Sequence, residues 1–131
     1  MTSFTWHAVT IDCVDPVAVA GFWAGLLDLE RRDARPGWVR LGGRDDARPL
    51  LNFQPVAERK QSKNRLHLDM TVDDLGVAVR RVEELGGRFR ERHVYPGAGV
   101  VVVMADPEQN EFCLTQYFDA PAEAGTAPDD E

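Results

Sequence analysis

His67, Asp69 and Thr71 occupy alternate positions of one strand-like run, and Glu111, Cys113 and Thr115 occupy alternate positions of another. Successive side chains of a strand point to opposite faces, so each trio shares a face. Their types can do chemistry. An imidazole titrates near neutrality and a carboxylate beside it fixes its orientation, so His67 with Asp69 or Glu111 is a candidate general base. Imidazole, thiolate and carboxylate are also zinc donors, which makes His67, Cys113 and Glu111 a candidate ligand set with Gln54 as a weak fourth. The plainest role for His67 is a hydrogen bond to a strand neighbour or contact with a bound molecule.

The elements that must position these residues are legible from an internal repeat. Residues 6–27 and 65–86 resemble each other at an offset of 59 residues, each running from a strand pattern through Asp into an amphipathic helix. Asp15 can cap the first helix and Pro16 suits its first position. Val19, Phe22, Trp23, Leu26 and Leu27 form its apolar stripe. Asp73 or Asp74 can cap the second helix, Leu75, Ala78, Val79, Val82 and Leu85 form its stripe, and Gly86 with Gly87 stops it. Three strand-like runs follow each helix, at about 30–33, 38–42 and 50–54, then 88–93, 100–105 and 111–117. The turn signals are Pro36-Gly37, Asp45-Asp46, Pro96-Gly97 and Asp106-Pro107. Each half therefore reads β-α-β-β-β. The expected fold class is α+β, with modules at about 4–55 and 65–118, a polar linker at 56–64 and an acidic, disordered tail at 119–131.

One helix per module covers one face of its sheet. In residues 65–72, Leu66, Leu68, Met70 and Val72 should face the helices, leaving His67, Asp69 and Thr71 on a cleft side. The repeat transfers this to the first strand. There His7, Val9, Ile11 and Cys13 face inward, and Ala8, Thr10 and Asp12 face the cleft. Trp38, Arg40, Asn52 and Gln54 join the cleft from the third and fourth strands. Trp38 would serve either as a stacking wall for a flat ligand or as edge packing.

Composition narrows the class. The chain has 131 residues, enough for one sizeable core, and its net charge of −7 argues against nucleic acid and anionic membranes as partners. The first residues lack a signal-peptide pattern and no apolar run approaches a membrane span. Cys13 and Cys113 lie in apolar segments and read as buried, reduced thiols, which places the chain in the cytoplasm.

Several segments together resemble the glyoxalase-like domain proteins of the glyoxalase, bleomycin-resistance and extradiol-dioxygenase (vicinal oxygen chelate) superfamily. They are residues 10–16 (TIDCVDP), Phe22-Trp23, 53–56 (FQPV), 63–69 (KNRLHLD) and 104–114 (MADPEQNEFCL). The resemblance spans about residues 4–118. It implies paired βαβββ modules whose sheets curl around a cleft, helices outside, and pairing into homodimers. In the superfamily's metalloenzymes each module gives one ligand at the start of its first strand and one on its last. His67 matches the second module's first position. Ala8 falls at the equivalent place in the first module and cannot bind a metal, and His7 is one residue out of phase. Cys113 stands where the family has Glu, with Glu111 one pleat away. The first module's last strand offers Asn52 or Gln54, in a register the sequence leaves open. Gln109 replaces the family's glycine after Asp-Pro-Glu.

The resulting expectation is a small-molecule-binding protein with the cleft as its site. His67 and Glu111 would be its reactive groups, and Trp38, Asn52, Gln54, Asp69, Cys113 and Thr115 would contact the ligand. No cofactor is expected, since the ligand set is degenerate; a divalent metal is the one addition these donors allow. Two alternatives stand beside it. One is a metal-dependent lyase, isomerase or dioxygenase of the same superfamily. The other is a resistance protein that sequesters a drug. An acidic chain suits a cationic drug, but such a groove needs more aromatic residues than this sequence offers.

Overall fold

The computed structural model describes residues 2–33, 35–43 and 50–118. The expected turn at Asp45-Asp46 and the expected tail at 119–131 lie outside the described residues. The chain divides into two compact units, Met1–Gln61 and Ser62–Glu131. Each folds in the same order.

In the first unit, β1 (Ala8–Cys13) leads into α1 (Pro16–Leu27), followed by β2 (Glu30–Arg31), β3 (Val39–Gly42) and β4 (Leu50–Pro55). The sheet order is β1-β4-β3-β2, with β1 parallel to β4 and the other pairs antiparallel. Asp15 caps α1 by accepting the Ala18 N–H, and Pro16 occupies the first turn. The stripe residues Val19, Phe22 and Trp23 are buried against Val39, Leu41, Leu51 and Phe53 of the sheet. Phe22 and Trp23 meet edge to face at 5.3 Å.

The second unit repeats this plan with β5 (Asp69–Thr71), α2 (Leu75–Glu84), β6 (Arg88–Tyr95), β7 (Gly99–Ala105) and β8 (Glu111–Tyr117), in the order β5-β8-β7-β6. Asp74, rather than Asp73, caps α2 through the Val77 N–H, and Gly86 takes the left-handed conformation that ends the helix, at φ 107°. Val82 is the one fully buried residue of α2. The core of this unit comes mainly from Val100, Val102, Met104, Phe112 and Leu114.

Between β7 and β8 the buried Asp106 carboxylate accepts backbone N–H bonds from Glu108 and Asn110 and two bonds from the Asn110 amide. This clamp holds Gln109 at φ 74°, a conformation that favours glycine. The turn keeps the shape a glycine there would give, at a cost in backbone strain.

Three local expectations need correction. Residues 65–72 do not form a full strand: β5 spans Asp69–Thr71, and Leu66, expected to face the helix, is 87% exposed. The physical reason is a competing anchor. The Asn64 backbone N–H donates to Glu111 Oε1 at 3.0 Å and its side-chain amide donates to the Glu111 carbonyl at 3.2 Å, which occupies a β8 acceptor and holds the lead-in off the ladder. His7 does not face the helix either. It precedes the first rung of β1 and is exposed. Trp38 lies in the turn before β3 rather than on it. Among the described residues, no helix is long and apolar enough to cross a membrane.

Candidate functional site

Strand pairing fixes which side chains stand side by side on the sheet face away from each helix. In the second unit Asp69 is in register with Cys113, and Thr71 with Thr115. On its other side β8 pairs Cys113 with Val103 and Thr115 with Val101. His67 precedes β5 by two residues and remains on this open face. Its ring nitrogen, an Asp69 carboxylate oxygen and Cys113 Sγ all lie within 4.8 Å of one another. Cys113 is buried, His67 half-buried and Asp69 exposed, so the cluster runs from the sheet floor to solvent. The rung from the Cys113 N–H to the Leu68 carbonyl, 2.9 Å, fixes the backbone between the imidazole and the carboxylate.

Glu111 does not join this group. It is buried and its carboxylate holds the Asn64 backbone. The structure thus puts Asp69 beside the imidazole and thiol, where the candidate ligand set had Glu111 and the general-base reading had either carboxylate. Thr115 is buried one pleat further along β8, beside Thr71.

In the first unit the open face carries a lateral row. Thr10 on β1 is in register with Asn52 on β4, and Asn52 with Arg40 on β3. The Asn52 amide oxygen accepts from Arg40 Nε at 2.9 Å, and its amide nitrogen approaches Thr10 Oγ1 at 3.5 Å. Asn52 is buried at 7% exposure. Gln54 is half-buried next to Asp12.

Trp38 stands apart from that row. The Arg35 guanidinium lies over its ring, 4.7 Å from the centroid. Both line an open cavity of about 330 Å³ together with Val17 of α1, Arg31, Asp33 and Val39. Arg31 donates to Asp33 at 2.7 Å, and this hydrogen bond with its charge holds the Asp33 carboxyl below the usual carboxylate range. The Val17 and Val39 walls belong to the side of the sheet that α1 covers, so Trp38 is not a wall of the Thr10–Asn52–Arg40 face.

The glyoxalase-like domain model matches residues 8–115, most of the chain. The chain belongs to the glyoxalase-like domain family. No curated protein matches it. Solved structures of similar fold include the fosfomycin resistance protein FosX from Listeria monocytogenes, at 15% identity and TM-score 0.70, covering 94% of this chain and 98% of that one. A glyoxalase/bleomycin resistance protein/dioxygenase family enzyme from Burkholderia phytofirmans PsJN is 16% identical, TM-score 0.68, over 86% of this chain and 98% of its own. A lactoylglutathione lyase from Agrobacterium tumefaciens is 18% identical, TM-score 0.61, over 88% and 95%. These likenesses establish the vicinal oxygen chelate fold.

Within that family frame the pairing settles the open register. Thr10 and Asp69 are repeat equivalents, 59 residues apart, and they pair with Asn52 and Cys113. Asn52 is therefore the counterpart of Cys113, and Gln54 of Thr115. The glyoxalase-like chain has Ala8 and Asn52 where the second module has His67 and Cys113. Donors able to hold a metal concentrate in the second module, and their types, N, O and S, fit a zinc-like ion. Donors bound 2.0–2.3 Å from zinc sit about 3–4 Å apart, so a small side-chain movement would close the set.

Proposed function

We propose that this glyoxalase-like protein binds a small oxygen-bearing molecule on its open sheet faces, with His67, Asp69 and Cys113 as the reactive centre holding one zinc-type divalent cation. The observation that carries this reading is the gathering of three unlike donors within 4.8 Å. It departs from the expectation of a cofactor-free site, which rested on the degenerate family ligand set, with Ala8 in the first module and Glu111 rather than Asp69 as the carboxylate of the candidate metal set. A divalent ion there supplies Lewis acidity toward neighbouring oxygens of a ligand. The protein's own contribution is to hold the thiolate on the dry sheet floor and leave the Asp69 side open to solvent. The FosX structure solved in complex with Mn(II) gives a precedent for a divalent ion on this fold. The reaction class that fits is a lyase or isomerase acting next to a carbonyl.

A second reading keeps the small molecule and drops the ion, with His67 as general base and Asp69 as its partner. Ala8 favours it, since the first module has no ligand at the position equivalent to His67. Drug sequestration is disfavoured: Thr10, Arg40, Asn52, Asp69, Thr71, Cys113 and Thr115 give the described open faces no aromatic surface to grip a large drug. Cys13 and Cys113 form no disulfide, which supports a reducing compartment such as the cytoplasm.

Elemental analysis separates the readings. Untagged protein is incubated with Zn²⁺ and dialysed into metal-free buffer. The expected result is about one zinc per chain, lost in His67→Ala and in Cys113→Ser. Retention of none by the unmodified chain eliminates the ion and leaves the general-base reading.

A further inference from the structure

We propose that Arg40 is an oxyanion-recognition residue, which grips the carboxylate or phosphoryl group of a small molecule on the first module's open face. This names the chemical class of the ligand. It rests on the small-molecule reading and is independent of the metal.

Arg40 Nε donates to the Asn52 amide oxygen, and Asn52 is itself buried and tied toward Thr10. The Arg40 backbone N–H donates to Asp33 Oδ1 at 3.3 Å. Main chain and the near edge of the guanidinium are thus both fixed. Among the described residues, no carboxylate forms an ion pair or hydrogen bond with the outer nitrogens. Asp33 is bound to Arg31, and Asp12, next to Gln54 on the same face, makes no ion pair with Arg40.

Chemistry supplies the rest. A guanidinium anchored through Nε by a neutral amide keeps its whole positive charge and presents its remaining donors in a planar fork. That fork matches two oxygens of a carboxylate or phosphate. A salt bridge to Asp or Glu would have cancelled the charge; an Asn in that position orients the group and leaves the charge available. The half-buried setting strengthens the attraction relative to open solvent. The chain's net charge of −7 offers no general attraction for anions, so a bound anion reports a local site. The repeat sharpens the point, because the second module has Val103 where the first has Arg40, each paired with its β4 or β8 partner. The two open faces therefore carry different chemistry, a guanidinium held by an amide in one and a cluster of metal donors in the other.

The test is a titration of the ¹⁵N-labelled full chain with inorganic phosphate, and separately with acetate, at constant ionic strength, following Arg40 Nε–Hε and the Asn52 side-chain amide by NMR. Saturable shifts at these two groups are expected in at least one arm. A response to phosphate alone indicates a phosphoryl ligand, and a response to acetate a carboxylate. Arg40→Gln should weaken the anion at least about tenfold. Arg40→Lys, which keeps the charge but loses the fork, should weaken it less and serves if the Gln variant fails to fold. His67→Ala, which removes the metal centre, should keep the phosphate shifts, so failure of one assignment does not carry the other. Silence in both arms, shifts spread over exposed arginines without saturation, or unchanged affinity in Arg40→Gln overturns the proposal.

Discussion

Glu111 and Asp69 show how one residue decides what another can do. Both were carboxylates available to the imidazole, and each took a different task once the chain folded. Glu111 anchors Asn64 through its carboxylate and its carbonyl. Asp69 stays beside His67 and Cys113. Removing a buried acceptor leaves the Asn64 N–H without its partner, at a cost of about 1–3 kcal/mol. Glu111→Ala should therefore lower unfolding stability by that amount in urea denaturation while retaining zinc. Loss of zinc with unchanged stability would return Glu111 to the ligand set and remove Asp69 from it.

At the scale of the elements, the β7–β8 turn is the clearest strained feature. Asp106 collects four hydrogen bonds and holds Gln109 in left-handed backbone. A side chain there costs energy that glycine avoids, and glycine returns part of the gain through its freer unfolded chain. Gln109→Gly should raise stability by at most about 1 kcal/mol, and Gln109→Val should lower it by more than about 1 kcal/mol, because a β-branched residue fits that region worst. The order Gly, Gln, Val in thermal midpoints checks this; a destabilised Gly variant contradicts it. The same clamp delivers β8 in register, and with it Cys113 to the level of Asp69. Element boundaries were least legible where polar side chains capture backbone groups. The 65–72 pattern is a strand by alternation, yet Asn64 ends it early.

Among the described residues, each unit leaves large apolar side chains exposed and one strand edge unpaired within its own sheet. Phe4 is 94% exposed, Trp6 72% and Leu66 87%. In their own sheets β1 and β5 are edge strands, with one side of each ladder unpaired. Exposed edges and large apolar side chains are features that proteins usually cover by pairing. We expect a homodimer: light scattering coupled to size exclusion should give about twice the 14.6 kDa chain mass, and Trp6→Ser with Leu66→Ser should shift it toward the monomer. A monomer at the highest concentrations tested would oppose this expectation.

The sequence by itself determined the two βαβββ modules, their caps and stripes, and the family. Each of those is written in local patterns: Asp15 before Pro16, the apolar spacing from Val19 to Trp23, and the repeat at 59 residues. It also determined the alternation that keeps His67, Asp69, Cys113 and Thr115 off the helix-facing side. Only the tertiary structure decided which of these residues meet. Cross-strand register depends on contacts between segments more than forty residues apart, as Asp69 with Cys113 and Thr10 with Asn52 show. Alternation is blind to such a slide, because moving a strand by two residues preserves every face while changing every neighbour. For that reason the sequence named the donors and the fold chose Asp69 over Glu111, set Arg40 against an amide instead of a carboxylate, and put Trp38 on the far side of the sheet.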